Sequence, residues 1–327
     1  MKKPFILLID ANNLAFAQYH THKELRSETA NVNTGLIHGM FTGLLRIADL
    51  FNHAPMILVW DGDGKKWRQK QCSFYKQQRN HGEDPVYADC HEQMQIVRQF
   101  VQLLRIPELR LSGVEADDTI GILSSELQAD FKEVIIRSAD KDFFQLVGEN
   151  VKIFRGGSGN EPINSKNIRD YVLGSAQICH VYGVHPLRWV DYKSLVGDPS
   201  DNIPSIKRGI GDVKAKMLLN LGVKFPVKKI PNLEGVRKEL RGIEIEASDW
   251  EQANSNYEIL QIIKSASDSR IPQEAQESLQ GFLAKQRKVN FVRNFSSIDM
   301  WTLVRELRKF DLHDLAMRGL DLIKIFH

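Results

Sequence analysis

Cysteine is scarce: the chain has three in 327 residues, Cys72, Cys90 and Cys179. They form no CxxC pair, and any pairing leaves one over. That argues against a disulfide framework and a thiolate zinc site, and implies free thiols in a reducing compartment. Long apolar runs are lacking too. None approaches the roughly 18 residues needed to span a bilayer. The run after the two N-terminal lysines, Phe5–Ile9, stops at Asp10, too soon for a secretory h-region. A soluble, cytoplasmic protein with no membrane partner is expected. A dominant charge of either sign is also missing, since 44 Lys+Arg stand against 41 Asp+Glu for a net charge of +3. The near-balance conceals segregation along the chain.

Three short apolar runs end at, or just before, an aspartate: "FILLID" (Phe5–Asp10), "PMILVWD" (Pro55–Asp61) and "EVIIRSAD" (Glu133–Asp140). Runs without polar alternation read as strands buried on both faces, as in a parallel sheet. Helical periodicity fills Gly35–Phe51 and His91–Leu104, and strand-helix alternation implies an α/β fold. From about Asn164 the pattern turns helical, in "SAQICHVYGV", "VKAKMLLNLGV", "WEQANSNYEILQIIKSA" and "WTLVRELRKFDLHDLAMRGLDLI". The length suits one large domain or a core with an accessory part. We expect an α/β core over residues 1–160, its central sheet mostly parallel and flanked by helices, and a helical part over 161–327. The Gly- and Ser-rich stretch Arg155–Ser165 would connect them.

In an open parallel sheet, ligands bind beyond the carboxyl ends of the strands. If the three runs lie parallel, Asp10, Asp61 and the Asp140/Asp142 pair emerge along one edge. "GVEADD" adds Glu115, Asp117 and Asp118 at the start of a helix, with Glu115 and Asp118 on one face. Acids in a first helical turn also complement the helix dipole, and an acid after a strand is often an N-cap. Several sites on one edge ask for more than that. At an effective dielectric of 20, each like-charged pair 4 Å apart costs about 4 kcal/mol, so cations must neutralise them or some must stay protonated. With oxygen ligands and no His or Cys nearby, the cations that suit are Mg²⁺ or Mn²⁺. Another acid pair, Asp198 and Asp201, lies in "GDPSDNIPSIKRGIGDVKAKMLL". There Gly209 and Gly211 precede a helix bearing Lys214 and Lys216, a hairpin suited to gripping a phosphate backbone.

The basic counterpart is "KKWRQKQCSFYKQQR", with Lys65, Lys66, Arg68, Lys70, Lys76 and Arg79 and no acid. Trp67, Phe74 and Tyr75 interleave. Cations that neutralise phosphates, alternating with rings on which bases stack, describe a single-strand-binding segment, although a solvated basic helix face has the same composition. Together the acids and the basic segment point to metal-assisted hydrolysis of nucleic acid.

In this order, "LLIDANNLAF", "LVWDGDGKKWR" with "FYKQQR", "GVEADD", "SADKDFFQLV" and "GDPSDNIP…GIG" resemble the 5′ nuclease (flap endonuclease) family, over about residues 5–225. That family includes standalone bacteriophage enzymes and the nuclease domain of bacterial DNA polymerase I. The resemblance implies a Mg²⁺- or Mn²⁺-dependent 5′→3′ exonuclease and flap endonuclease with two or more ions. Asp10, Asp61, Glu115, Asp117 and Asp118 match its first metal cluster, and Asp140, Asp142, Asp198 and Asp201 its second. Lys76 and Arg79 match basic residues at the base of a helical arch (about 62–92) that contact the scissile phosphate, and Tyr75 a ring that stacks on a base. A helix–three-turn–helix at about 190–225 would hold duplex DNA and a K⁺ ion. The implied partner is DNA with a 5′ flap, nick or single-strand/duplex junction, bound by a monomer in replication or repair. Between Pro204 and Gly209 this chain is one residue longer than the family pattern, and Val213 stands where a lysine is common.

Other functions fit less well. A haloacid dehalogenase-type phosphatase needs a second aspartate two residues after the nucleophile, where Asn12 follows Asp10. "DGDGK" fails as a calcium loop at Lys65 and Cys72. A junction-binding protein with a dead site would lack one of the acids. An RNA-primer-removing nuclease acting on RNA–DNA hybrid would use the same residues.

Overall fold

Branched and leucine-rich runs that stop at an acid become adjacent parallel strands because both of their faces can be covered. In the computed structural model, which describes residues 2–22, 24–64, 66–77, 85–156, 166–229, 231–234, 240–291, 298–319 and 322, the elements run as follows. The N-terminal half holds β1 (Lys3–Asp10), α1 (Ala11–Thr21), the small hairpin β2 (Arg26–Ser27) and β3 (Val32–Asn33), α2 (Gly35–Leu50), β4 (Met56–Trp60), α3 (Trp67–Gln71), α4 (Pro85–Leu103), β5 (Glu108–Arg110), α5 (Ala116–Glu126), β6 (Phe131–Arg137) and β7 (Val151–Phe154). Then come β8 (Val172–Leu173), α6 (Ser175–Tyr182), α7 (Trp189–Val196), α8 (Asp212–Asn220), α9 (Ala247–Leu260), α10 (Gln273–Lys288), α11 (Met300–Lys309) and α12 (His313–Met317).

The six-stranded sheet has the order β5-β4-β1-β6-β7-β8 and is parallel except for β8, which runs against β7. Within β1, Ile6 and Leu8 join one hydrophobic cluster and Leu7 and Ile9 the other. This period of two explains how an unbroken apolar run is buried on both sides. One face is covered by α5, α7 and α8 with α9 and α10, through Ile120, Trp189, Leu218, Trp250 and Leu279. The other is covered by α2 and α4 with α11 and α12, through Phe41, Phe100, Leu303 and Leu315.

The register pairs Asp10 with Val59 and Ile9 with Arg137. The ends of β1, β4 and β6 therefore lie level, and Asp10, Asp61 and Ser138 leave the sheet side by side. Because β4 and β6 flank β1, this is also where the strand order reverses, the crevice in which α/β sheets bind ligands.

Some expected boundaries shift. The pattern over Trp250–Ala266 stops being helical at Leu260, because the next amides bond elsewhere: Ile262 N to Gln145 Oε1 at 2.8 Å and Ile263 N to Asp118 Oδ1 at 2.9 Å. The run from Trp301 divides into α11 and α12 at Asp311, whose backbone is left-handed (φ 56°). Its carboxylate accepts from Ser27 Oγ, Thr29 N and Thr29 Oγ1. Strands β5, β7 and β8 are too short to announce themselves by pattern. Residues 157–165 of the expected connection lie outside the described residues.

Candidate metal centre

The aspartates reach the crevice on short, internally bonded segments. Asp10 caps α1, accepting from Asn13 N at 3.1 Å, and its second oxygen accepts from Ser138 Oγ at 2.8 Å. The two asparagines after it bind the neighbouring strand ends: Asn12 Oδ1 accepts from Asp61 N at 2.8 Å and Asn13 Oδ1 from Ala139 N at 3.0 Å. Asp61 in turn accepts from Ala116 N at 2.9 Å, which ties the end of β4 to the first turn of α5. Gly62 makes this approach possible, since a Cβ there would lie 1.7 Å from Leu111 O.

Two groups of three carboxylates result, Glu115/Asp117/Asp118 and Asp142/Asp198/Asp201, each offering oxygens within 4.8 Å of one another. Asp10, Glu115, Asp118, Asp198 and Asp201 are buried, whereas Asp61 and Asp140 are exposed. Burial drives the Asp10 carboxyl up to about 7, against the pull of its two hydrogen bonds. It raises Asp142 to about 7 as well, with Asp140 adding repulsion. Asp117 is also raised, by burial and by Asp118 and Glu115 beside it. Burial would lift Glu115 too, but Lys76 and Arg68 overcome it and hold the carboxyl down at about 2.

The protein supplies three cations of its own to these groups. Arg68 Nη1 lies 2.6 Å from Glu115 Oε2, 2.8 Å from Asp118 Oδ2 and 3.5 Å from Asp117 Oδ1. Lys76 Nζ lies 2.6 Å from Glu115 and 4.0 Å from Asp201, bridging the two groups. Lys193 Nζ lies 3.1 Å from Asp142 and 2.5 Å from Asp198. The Lys76 backbone is left-handed (φ 54°), a conformation disfavoured for lysine. It is held there by Lys76 N donating to Asp201 O at 3.0 Å and by Asn202 Nδ2 donating to Phe74 O at 3.0 Å. These bonds fasten the base of the basic segment to the "GDPSDN" turn.

Two residues expected to meet DNA are turned inward. Arg68, expected on a basic surface, has a side chain only 2% exposed, because the surrounding carboxylates recruit its charge. Tyr75, expected to stack on a base, is buried; its hydroxyl lies 3.2 Å from Asp201 Oδ2 and its ring 4.9 Å from Lys76 Nζ. Trp67 is buried as well, and of the three interleaved rings Phe74 is the exposed one. Lys70 is exposed, and Lys66 Nζ donates to Gly62 O at 2.6 Å. Lys65 and Arg79 lie outside the described residues. In the later hairpin, Gly211 caps α8 and Gly209 has φ +93°. Lys214 Nζ donates to Gly209 O at 3.0 Å, and Lys216 Nζ to Asp212 at 2.9 Å.

Sequence reasoning missed Lys193, Ser138, Asn12 and Asn13. The asparagines carried a signal, standing directly after Asp10. Lys193 carried none: it lies within α7, with four residues between it and Asp198.

This fold and sequence have parallels in known proteins. Residues 5–174 match the 5′-3′ exonuclease, N-terminal resolvase-like domain. A 5′-3′ exonuclease of Buchnera aphidicola subsp. Acyrthosiphon pisum is 30% identical over 239 residues, covering 73% of this chain and 75% of that protein. DNA polymerase I of Thermus thermophilus is 30% identical over 217 residues, covering 65% of this chain and 24% of the polymerase. The chain thus spans about a quarter of the length of the polymerases it matches. Among solved structures, T5 5′-exonuclease with bound zinc shares the fold at a TM-score of 0.55 and 15% identity, over 99% of this chain and 100% of that one. The catalytic core of Rad2 in complex with a DNA substrate does so at 0.53 and 14%, over 98% and 91%. From the match over residues 5–174 and the Buchnera relative, the chain belongs to the 5′-3′ exonuclease family.

Proposed function

We propose that the protein is a divalent-metal-dependent 5′ nuclease that hydrolyses DNA phosphodiesters near single-strand/duplex junctions, as 5′→3′ exonuclease and flap endonuclease. The observation that carries this reading is the pair of carboxylate groups bridged by Lys76 at the switch point of the sheet. The residues fit hard divalent ions. The donors are all carboxylate oxygens, and two of them, Asp10 and Asp142, hold protons up to about pH 7 when no ion compensates their burial. Mg²⁺ or Mn²⁺ suits such a set. The zinc-bound T5 enzyme and the DNA-bound Rad2 core, which share the fold, support the same reading.

Asp10, Asp61, Glu115 and Asp117 would hold the first ion, and Asp140, Asp142, Asp198 and Asp201 the second. When bound, the ions would supply a hydroxide at neutral pH and neutralise charge on the phosphate. Lys76 donates to an oxygen of the scissile phosphate, its ammonium kept charged by Glu115. Arg79, by its place in the motif, would do the same. Asn12 and Asn13 hold the strand ends so that the acids keep their separation. Lys65, Lys66, Lys70 and the exposed Phe74 would meet the single strand. The segment from α7 to α8, with Gly209, Gly211, Lys214 and Lys216, would act as the helix–three-turn–helix on duplex DNA, with K⁺ in its loop. A nuclease core over residues 1–160 with a helical part beyond it, working as a monomer, completes the proposal.

Single-turnover cleavage of a 5′-labelled DNA flap, with Mg²⁺ and with EDTA, tests it. Metal-dependent cutting near the junction is expected. Tight binding without cutting in Mg²⁺ or Mn²⁺ would make the protein a junction binder, and preference for an RNA–DNA hybrid would make it a primer-removing nuclease.

A further inference from the structure

Arg68 is spent wholly inside the protein. Nε donates to Ile259 O at 2.7 Å, and Nη2 to Gln261 O at 2.7 Å and Asp118 Oδ1 at 2.9 Å. Nη1 donates to Glu115 Oε2 at 2.6 Å and Asp118 Oδ2 at 2.8 Å. All five of its donors therefore have acceptors. Asp118, 0% exposed, is equally engaged. Oδ1 accepts from Arg68 and from Ile263 N, and Oδ2 from Arg68 and from Trp67 Nε1 at 2.8 Å. Four donors occupy its oxygens, so it has little left for an ion, whereas the neighbouring Asp117 side chain is 25% exposed.

The segment that receives these bonds comes from far along the chain. Residues 259–263 form the last residues of α9 and the chain just after it, beyond the part that matches the family domain. Gln145 also grips this segment, donating to Leu260 O at 3.0 Å and accepting from Ile262 N at 2.8 Å. Lys264 Nζ donates to Gln145 O at 3.0 Å. The segment lies in direct backbone contact with α5, where a Cβ on Gly121 would stand 2.3 Å from Ile263 O.

We propose that Arg68 and Asp118 are positioning residues that lock Glu115 and Asp117 to the backbone of Ile259–Ile263, making that C-terminal segment a structural part of the active site. Asp118 then serves the reaction through Arg68 and the fold of α5, and the ion is left to its neighbours. The inference rests on the nuclease reading above.

Four variants test it in the full chain: Arg68→Gln, Asp118→Asn, the double variant, and Gln145→Met, which keeps the bulk of the side chain and removes both of its bonds to the segment. The readouts are the single-turnover rate on a DNA flap, the half-saturating Mg²⁺, DNA affinity without divalent ions, and amide exchange at Ile262 and Ile263 in metal-free protein. Each single charge variant should lose about 100-fold or more in rate. The double should lose no more than the poorer single, because residues acting as one unit are non-additive. Gln145→Met should raise half-saturating Mg²⁺ by about 5-fold and expose both amides to exchange, with DNA affinity within about 2-fold of wild type. Losses that multiply in the double variant, or open amides in Gln145→Met with an unchanged rate and Mg²⁺ dependence, would overturn the inference. If Arg68→Gln fails to fold, the charge-neutral double variant and Gln145→Met carry the test. Wild-type protein that cuts no flap would instead count against the nuclease reading itself.

Discussion

Individual residues in the crevice divide into those that bear charge for the reaction and those that keep that charge tolerable. Lys76 does both, because it neutralises Glu115 and Asp201 while lying between the two acid groups. Lys76→Ala should therefore reduce single-turnover cleavage by about 100-fold, as loss of one charge-stabilising donor does elsewhere, with DNA affinity changed much less. Equal losses in rate and affinity would assign it to binding alone. Asp118→Asn should leave DNA binding largely intact while cleavage falls steeply. It should also lower stability by about 3–5 kcal/mol, since it breaks a buried ion pair and leaves the Arg68 charge under-compensated. Denaturant unfolding of the metal-free variant measures that loss, and a change under about 1 kcal/mol would show that the pair is not coupled as the geometry requires.

At the scale of elements, the acids line up because short turns bring level strand ends together. Gly62 shows how tight this is: an added Cβ would meet Leu111 O at 1.7 Å and Val114 O at 2.7 Å. Gly62→Ala should cost at least about 2 kcal/mol, as backbone displacement does when nothing flexible can yield. Because Asp61 precedes it and accepts from Ala116 N, half-saturating Mg²⁺ should rise too. A variant with wild-type stability and Mg²⁺ dependence would mean that the loop between β4 and α3 adjusts freely. The positions of Asp10, Asp61 and the Asp140/Asp142 pair were legible because each follows an apolar run whose burial on both faces fits a parallel sheet, whereas Glu115, Asp117 and Asp118 were legible as acids opening a helix. Which basic residues face outward was not legible. "KKWRQKQ" has one composition throughout, yet Arg68 is enclosed by Glu115 and Asp118 while Lys70 stays in solvent. That choice depends on segments distant in sequence, Ile259–Ile263 above all. The same dependence ended α9 at Leu260, where local periodicity continued.

For the whole molecule, the acids couple folding, protons and metal. Asp10 and Asp142 hold protons to about pH 7 in the folded metal-free protein, whereas in the unfolded chain they release them near pH 4. Between those values the folded state binds more protons than the unfolded, so stability of the metal-free protein falls as pH rises from about 4 to 7. Ions bound there would displace the protons and remove the penalty. The difference in melting temperature between Mg²⁺ and EDTA samples should therefore widen from pH 5 to pH 8. A constant difference would show that these acids are not where the ions bind. Among the described residues no helix is long and apolar enough to cross a membrane, and the sheet is enclosed by helices from both halves of the chain. The crevice is thus where folding, proton binding and metal binding meet. Its most direct test is anomalous diffraction from crystals soaked in Mn²⁺. Manganese is expected at two places: beside Asp117 with Asp10 or Asp61, and among Asp140, Asp142, Asp198 and Asp201, with Arg68 still paired to Asp118. Manganese bound elsewhere, or none in the crevice at concentrations that support cleavage, would contradict it.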